Sequence, residues 1–160
     1  MKRYCLITTL FVFALYSYET TVAADGKANQ YYHHAVRAAT LGKLELALVY
    51  FHQANRAGLN STALFYNLGV NYYKLGYFKS AYYAFYKLYK NNELSDLAQY
   101  NLALASVKMG KRALAQDWLR SCIRTTVNNN IKNLATRMLM QLAPAQAAEI
   151  ESSKPNNEWP

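Results

Sequence analysis

Acidic side chains are scarce in this chain. The 160 residues include 9 Asp and Glu against 18 Lys and Arg. Between Ala28 and Leu142 no two acidic residues form a spaced pair on one helix face, which is the arrangement that general acid–base catalysis uses. Glu93 and Asp96 instead suit a helix start, where negative charge complements the helix dipole. We therefore predict that the protein is not an enzyme. The acidic residues of this segment are Glu45, Glu93, Asp96 and Asp117.

Cysteine and histidine are rarer still, with 2 and 3 residues. Cys5 lies in the N-terminal segment, so its removal would leave Cys122 without a partner and exclude an intramolecular disulfide. Cys122 is predicted to be a buried, inert thiol. His33 and His34 are adjacent, and neighbours on a helix point about 100° apart. A zinc site needs three or four convergent ligands, and we predict neither a metal nor another cofactor.

The N-terminus has the three-part pattern of a secretory signal peptide. Lys2 and Arg3 precede an uncharged apolar stretch, residues 4–18, that is too short to span a bilayer comfortably. Val22-Ala23-Ala24 supplies the small residues of a cleavage site, so residues 1–24 are predicted to be removed. The protein is then exported, to the periplasm in a Gram-negative bacterium and otherwise secreted. An uncleaved membrane anchor is the alternative.

What the sequence does contain is a period. Three sets of residues recur 34 positions apart, which indicates an internal repeat with the boundaries Ala28–Ser61, Thr62–Ser95 and Asp96–Asn129. The sets are Gly42, Gly76 and Gly110; Ala47, Ala81 and Ala115; and Tyr32, Tyr66 and Tyr100.

Each repeat divides at its glycine into two helical patterns. In the second repeat Phe65, Leu68, Gly69 and Tyr72 follow helical spacing before Gly76, and another amphipathic pattern follows it. A glycine at this place suits a helix end that turns with a positive φ. Gly69 lies within a helix, where a missing Cβ permits close approach of a neighbouring helix. The second pattern is Phe78, Ala81, Phe85 and Leu88, and the residues equivalent to Gly69 are Ala35 and Ala103.

These motifs resemble the tetratricopeptide repeat (TPR). The family signature has an aromatic residue, Leu-Gly, Tyr, and then Ala and Phe in the second helix. The resemblance implies an all-α fold, a TPR-like α-solenoid of three helix-turn-helix repeats within residues 28–142. The apolar face of residues 131–142 is predicted to form a capping helix, and the polar residues 143–160 a disordered tail. The matching residues are Phe65, Leu68, Gly69, Tyr72, Ala81 and Phe85.

In TPR proteins the first helix of each repeat lines a concave groove that binds a partner. The resemblance therefore implies a non-enzymatic scaffold that binds a peptide segment through apolar contacts and amides. Related domains that clamp the C-terminal carboxylate of a chaperone use lysines, an arginine and asparagines in the groove. In this sequence Asn67 matches that set and the other positions do not, so we do not predict that specialised function. The groove residues carried over by position are Tyr32, Tyr66, Asn67, Val70, Tyr73, Lys74, Tyr100, Asn101, Leu104 and Lys108.

The net positive charge of the repeat segment supports a second possible kind of partner. Between Ala28 and Leu142 there are 14 basic and 4 acidic residues, a net charge of +10. Such a surface suits an acidic exopolysaccharide or an anionic membrane, whereas export disfavours nucleic acid. We predict a protein or peptide partner in cell-envelope assembly or secretion, and the oligomeric state stays open. The basic residues on predicted second helices are Lys79, Lys87, Lys90, Arg112, Arg120 and Arg124.

Overall fold

The computed structural model describes residues 26–91 and 94–142, and these residues form helices joined by turns. The predicted signal peptide (1–24) and the predicted tail (143–160) lie outside the described residues. Helix α1 comprises residues 26–40. The other helices are α2 (Leu44–Arg56), α3 (Thr62–Lys74), α4 (Phe78–Lys90), α5 (Ser95–Lys108), α6 (Arg112–Thr125) and α7 (Asn129–Leu142).

The chain divides into two compact units, Met1–Leu75 and Gly76–Pro160. In the described part of the N-terminal unit, α2 packs against α3, and the Tyr32 ring of α1 lies 5.8 Å from the Phe51 ring of α2. In the C-terminal unit each helix packs against the next, from α4 to α7, and α5 also contacts α7. Helices that are neighbours in sequence therefore supply most of the packing within the C-terminal unit.

The turn glycines have nearly the same backbone conformation. Gly42, Gly76 and Gly110 have φ values of 73°, 81° and 72°. This left-handed region costs other residues roughly 1–2 kcal/mol because Cβ then crowds the backbone. The glycines recur every 34 residues because each follows the first helix of a repeat, where the chain leaves the helix with a positive φ.

The repeated alanines are fully buried. Ala47, Ala81 and Ala115 each have 0% of their surface exposed. The small-residue position on the first helices is buried as well, at Ala35, Gly69 and Ala103. Small side chains at buried positions fit a closely packed interior.

Side chains cap two of the helices. Ser61 Oγ accepts a hydrogen bond from the Leu64 backbone N–H at 3.2 Å, which satisfies a free donor at the start of α3. Asn128 Oδ1 accepts from the N–H groups of Asn130 and Ile131 at the start of α7. The last helix thus begins at Asn129, two residues before the predicted Ile131, because the Asn128 side chain satisfies its first N–H groups.

Helix α7 covers the core of the C-terminal unit. Ala135 is fully buried and forms a cluster with Ala103, Leu119 and Cys122. Side chains of α7 that are partly buried surround this cluster, and their apolar face gives the helix the covering role expected of a cap. They are Ile131, Met138, Leu139 and Leu142.

Within residues 26–91 and 94–142, none of the helices combines the length and the apolar character that a membrane span requires.

Candidate functional site

The predicted groove residues of the N-terminal unit meet between α1 and α3. Asn67 Nδ2 donates a hydrogen bond to Tyr32 Oη at 2.9 Å. The Tyr32 ring also lies against the buried Phe51 ring. Tyr32 and Asn67, two of the predicted groove residues, are therefore in direct contact, which fixes the orientation of both side chains.

Beside this pair lies a cavity of about 190 Å³, which we call the α1–α3 cavity. It contains three of the predicted groove residues, Asn67, Val70 and Lys74. Tyr66 and Tyr73 are half-buried and do not line it. The cavity combines apolar side chains, amides and one ammonium group, a mixture that suits a peptide segment. Its lining residues are Val36, Ala39, Thr40, Phe51, Asn67, Val70, Asn71 and Lys74.

Asn71 is a residue of this cavity that the sequence did not single out. It is 3% exposed, and its Nδ2 donates to the Asn67 carbonyl oxygen at 2.7 Å. Its Oδ1 atom is buried and accepts no hydrogen bond from the described residues. A buried acceptor in that state costs about 1–3 kcal/mol. The repeat gave no signal for it, because the residues 34 positions away are Arg37 and Ala105.

The predicted groove residues of the C-terminal unit serve other contacts. Tyr100 packs against the core cluster of that unit. Asn101 Nδ2 donates to the Leu97 carbonyl oxygen of its own helix at 2.9 Å. Leu104 is half-buried and Lys108 is exposed. On α5 the Tyr side chain thus contributes to packing, and the Asn side chain to hydrogen bonding within the helix.

The two lysines of the predicted groove also lie in the last turns of their helices. Lys74 ends α3 and Lys108 ends α5. A cation there interacts favourably with the negative end of the helix dipole, typically by about 0.3–1 kcal/mol. Their charge therefore has a structural explanation that is compatible with partner binding.

A half-buried pair of side chains, His52 and Tyr72, forms part of the N-terminal unit. His52 Nε2 lies 2.7 Å from Tyr72 Oη, and their rings pack with centroids 6.0 Å apart. Burial lowers the pKa of His52, and the nearby charge of Arg56 lowers it further. Burial also raises the pKa of Tyr72. Both shifts favour the neutral forms, so the pair is a packed hydrogen-bonded contact.

The surroundings of Cys122 disfavour its reactive thiolate form. It is fully buried, and its Sγ donates to the Asp96 carbonyl oxygen at 3.3 Å. Burial and the Asp96 charge raise the pKa of its thiol to about 11. The part of the chain that the structure describes holds no group of three or more His, Cys, Asp or Glu side chains that could bind a metal ion.

Comparisons with solved structures agree with the repeat pattern. The Arabidopsis OM64 TPR domain superposes with a TM-score of 0.64 at 13% identity, covering 74% of this chain and 98% of that domain. The N-terminal domain of stress-induced protein-1 (STI-1) from C. elegans superposes with a TM-score of 0.60 at 15% identity, covering 72% and 96%. No protein-family model matches the sequence, and no curated protein does. The predicted fold is confirmed: the chain has the fold of a tetratricopeptide-repeat domain.

Proposed function

We propose that this protein is a non-enzymatic scaffold that binds an extended peptide segment in the α1–α3 cavity. The observation that carries the proposal is the buried Oδ1 of Asn71, an acceptor that has no donor among residues 26–91 and 94–142 and belongs to a cavity of predicted groove residues. Because this Oδ1 atom is buried, a backbone N–H of a bound peptide reaches it when the lining side chains move aside. The likeness to a TPR domain supports the same class of function.

The other lining groups fit the remaining parts of a peptide. Val36 and Val70 offer apolar surface for one side chain, and Lys74 offers an ammonium group for a carboxylate. Asn67 is held by Tyr32, so its orientation is set before the partner arrives. Such preorganisation reduces the entropy lost on binding.

Site-specific photocrosslinking in the source cells tests this site. A photoreactive residue in place of Val70 should form covalent adducts with a peptide segment of one or a few proteins. The matched control is Val127, which is 96% exposed in the turn before α7 and lies outside the cavity. Adding Asn71→Leu should reduce the Val70 adducts roughly tenfold, since a buried hydrogen bond is lost. Equal labelling at positions 70 and 127 would argue against a peptide site here.

We further propose that the protein acts in the cell envelope. Support comes from the N-terminal pattern of residues 1–24, which has the basic, apolar and small-residue parts of an export signal. Mass spectrometry of the protein recovered from its source should find a mature N-terminus near Asp25. Recovery in the membrane fraction with Met1 retained would instead indicate an uncleaved anchor.

A further inference from the structure

The C-terminal unit carries a row of aromatic side chains that the peptide site does not use. We call Tyr82, Tyr86, Tyr89 and Trp118 the aromatic strip. The rings of Tyr82 and Tyr86 are 6.2 Å apart and within 8° of parallel, and Trp118 of α6 lies 5.0 Å from Tyr89. The three tyrosines follow the spacing i, i+4 and i+7, so they extend for about 10 Å along α4.

Contacts among its members hold the strip in place. The indole Nε1 of Trp118 donates a hydrogen bond to Tyr82 Oη at 3.2 Å. Trp118 also makes an edge contact with the Tyr86 ring at 6.5 Å, and Tyr86 is still 38% exposed. The strip therefore presents an aromatic surface to solvent whose geometry is set before a ligand binds.

A cavity of about 390 Å³ continues the strip at its Tyr82 end, and we call it the lysine cavity. Lys79 and Lys111 are exposed at this cavity, and Tyr83 is 61% exposed. The volume lies in the range of small-ligand sites, about 300–1,000 Å³. Its lining residues are Lys79, Tyr82, Tyr83, Met109, Lys111 and Leu114.

The charge around this surface is positive. The acidic residues described in the C-terminal unit are Asp96 and Asp117, and both have partners. Asp96 Oδ2 accepts from Thr126 Oγ1 at 2.8 Å, and Asp117 forms an exposed ion pair with Arg120 at 3.3 Å. The ammonium groups of Lys79 and Lys111 thus favour a negatively charged ligand.

We propose that the aromatic strip and the lysine cavity together bind an acidic polysaccharide, a chain of uronic acid residues. A pyranose ring has an apolar C–H face that packs against an aromatic ring, and its hydroxyl groups exchange hydrogen bonds with phenol oxygens. Its carboxylate pairs with a lysine. This polysaccharide site shares no residue with the peptide site proposed in the α1–α3 cavity, so each proposal can be tested without the other.

The shape of the surface favours a sugar chain over a lipid surface. Membrane-binding faces bury apolar side chains such as Leu, Phe and Trp among the acyl chains. Here the exposed rings are phenols, Trp118 is half-buried, and the charged end is a concave cavity. The aromatic strip is elongated and ends at the lysine cavity. This arrangement matches a linear polymer in which each unit has an apolar face and a carboxylate.

The fluorescence of Trp118, a residue of the aromatic strip, measures binding. Full-length protein with Trp159→Phe retains Trp118 as its single tryptophan. Titration with a purified oligogalacturonate should change Trp118 fluorescence and saturate, and a neutral oligoglucose of equal length should bind at least tenfold more weakly. Raising the salt concentration should weaken the acidic ligand, because screening shortens the reach of the lysine charges.

Matched variants separate the two parts of the site. Lys79→Gln with Lys111→Gln should raise the Kd for oligogalacturonate about tenfold. The control, Lys132→Gln with Arg137→Gln, removes the same charge from exposed positions of α7 and should leave the Kd unchanged. In the aromatic strip, Tyr86→Ala should raise the Kd at least fivefold and Tyr86→Phe much less, because the ring is retained. Far-ultraviolet circular dichroism checks that each variant is folded.

Three results would overturn the proposal. One is the absence of a saturable fluorescence change up to millimolar oligogalacturonate. Another is equal weakening by the α7 control, which would mean that total charge rather than this surface binds the sugar. The third is sedimentation with phosphatidylglycerol vesicles in place of any response to the oligosaccharide, which would assign the surface to a membrane.

Discussion

His52 is a single residue whose protonation is linked to folding. Burial, together with the charge of Arg56, lowers its pKa below 6.5 in the native state. The unfolded chain therefore binds this proton more readily, and the contribution to stability is complete above about pH 6.5 and declines as the pH falls below it.

We expect wild type to have a lower melting temperature at pH 5.5 than at pH 7.5, and the difference should shrink in His52→Gln. Thermal melts followed by circular dichroism at both pH values measure this. An unchanged difference in the variant would mean that His52 does not carry the pH dependence.

Cys122 allows a second prediction at this scale. With a pKa of about 11, the thiol is ionised to roughly one part in a thousand at pH 8. It is also fully buried. In a Cys5→Ser variant, a thiol reagent such as dithionitrobenzoate should not react appreciably with native protein and should react within minutes in denaturant. Rapid labelling of the native protein would contradict the burial of this side chain.

Among the elements, α3 depends on a small residue. Gly69 is buried, and the equivalent residues Ala35 and Ala103 have no exposed surface. Gly69→Ala should be neutral or stabilising by up to about 1 kcal/mol, because alanine is the better helix former. Gly69→Leu should destabilise the protein by about 1–3 kcal/mol or more through overpacking. Urea denaturation compares the two, and equal stability of both variants would show that the site is not crowded.

One of the contacts between α5 and the end of α6 is a hydrogen bond between two side chains. Thr126, which is 8% exposed, donates to Asp96 Oδ2, and Asp96 also accepts from the Leu97 N–H. Hydrogen bonds to charged groups contribute about 1.5–3 kcal/mol.

Asp96→Ala and Thr126→Val should each lower the free energy of unfolding by at least about 1 kcal/mol. The double variant should lose less than the sum of the two losses, because the shared bond is removed once. Additive losses in urea denaturation would mean that the bond contributes little.

Features that recur with the 34-residue period could be predicted from the sequence. Turn glycines, buried alanines and the helix pairs follow from backbone conformation and side-chain size, which act locally and recur every 34 residues. It did not predict the aromatic strip, although Tyr82, Tyr86 and Tyr89 have helical spacing. Trp118 occupies the register of Ala84, so the period gave no signal for it. Nor did the groove assignment foresee that Tyr100 packs on the core, because helical spacing identifies a face and not its neighbours.

At the scale of the whole molecule, the last helix, α7, shields the core of the C-terminal unit from solvent. Ile131, Ala135, Met138 and Leu139 of α7 cover the cluster around Leu119. A chain that ends at Asn128 exposes this cluster and should lose about 3 kcal/mol or more, given the usual value of buried apolar side chains. It should also bind a hydrophobic dye and aggregate. The control is a chain that ends at Leu142, which should melt within a few degrees of wild type. Equal melting temperatures for the two chains would mean that α7 is dispensable.

The three turn glycines have φ values between 72° and 81°, and each ends the first helix of a 34-residue block. Turns with the same backbone conformation place the same demand on their residues, so a substitution that one turn accepts should be accepted by the other two. Gene duplication can therefore copy such a turn, with its glycine, without adding a new conformational requirement.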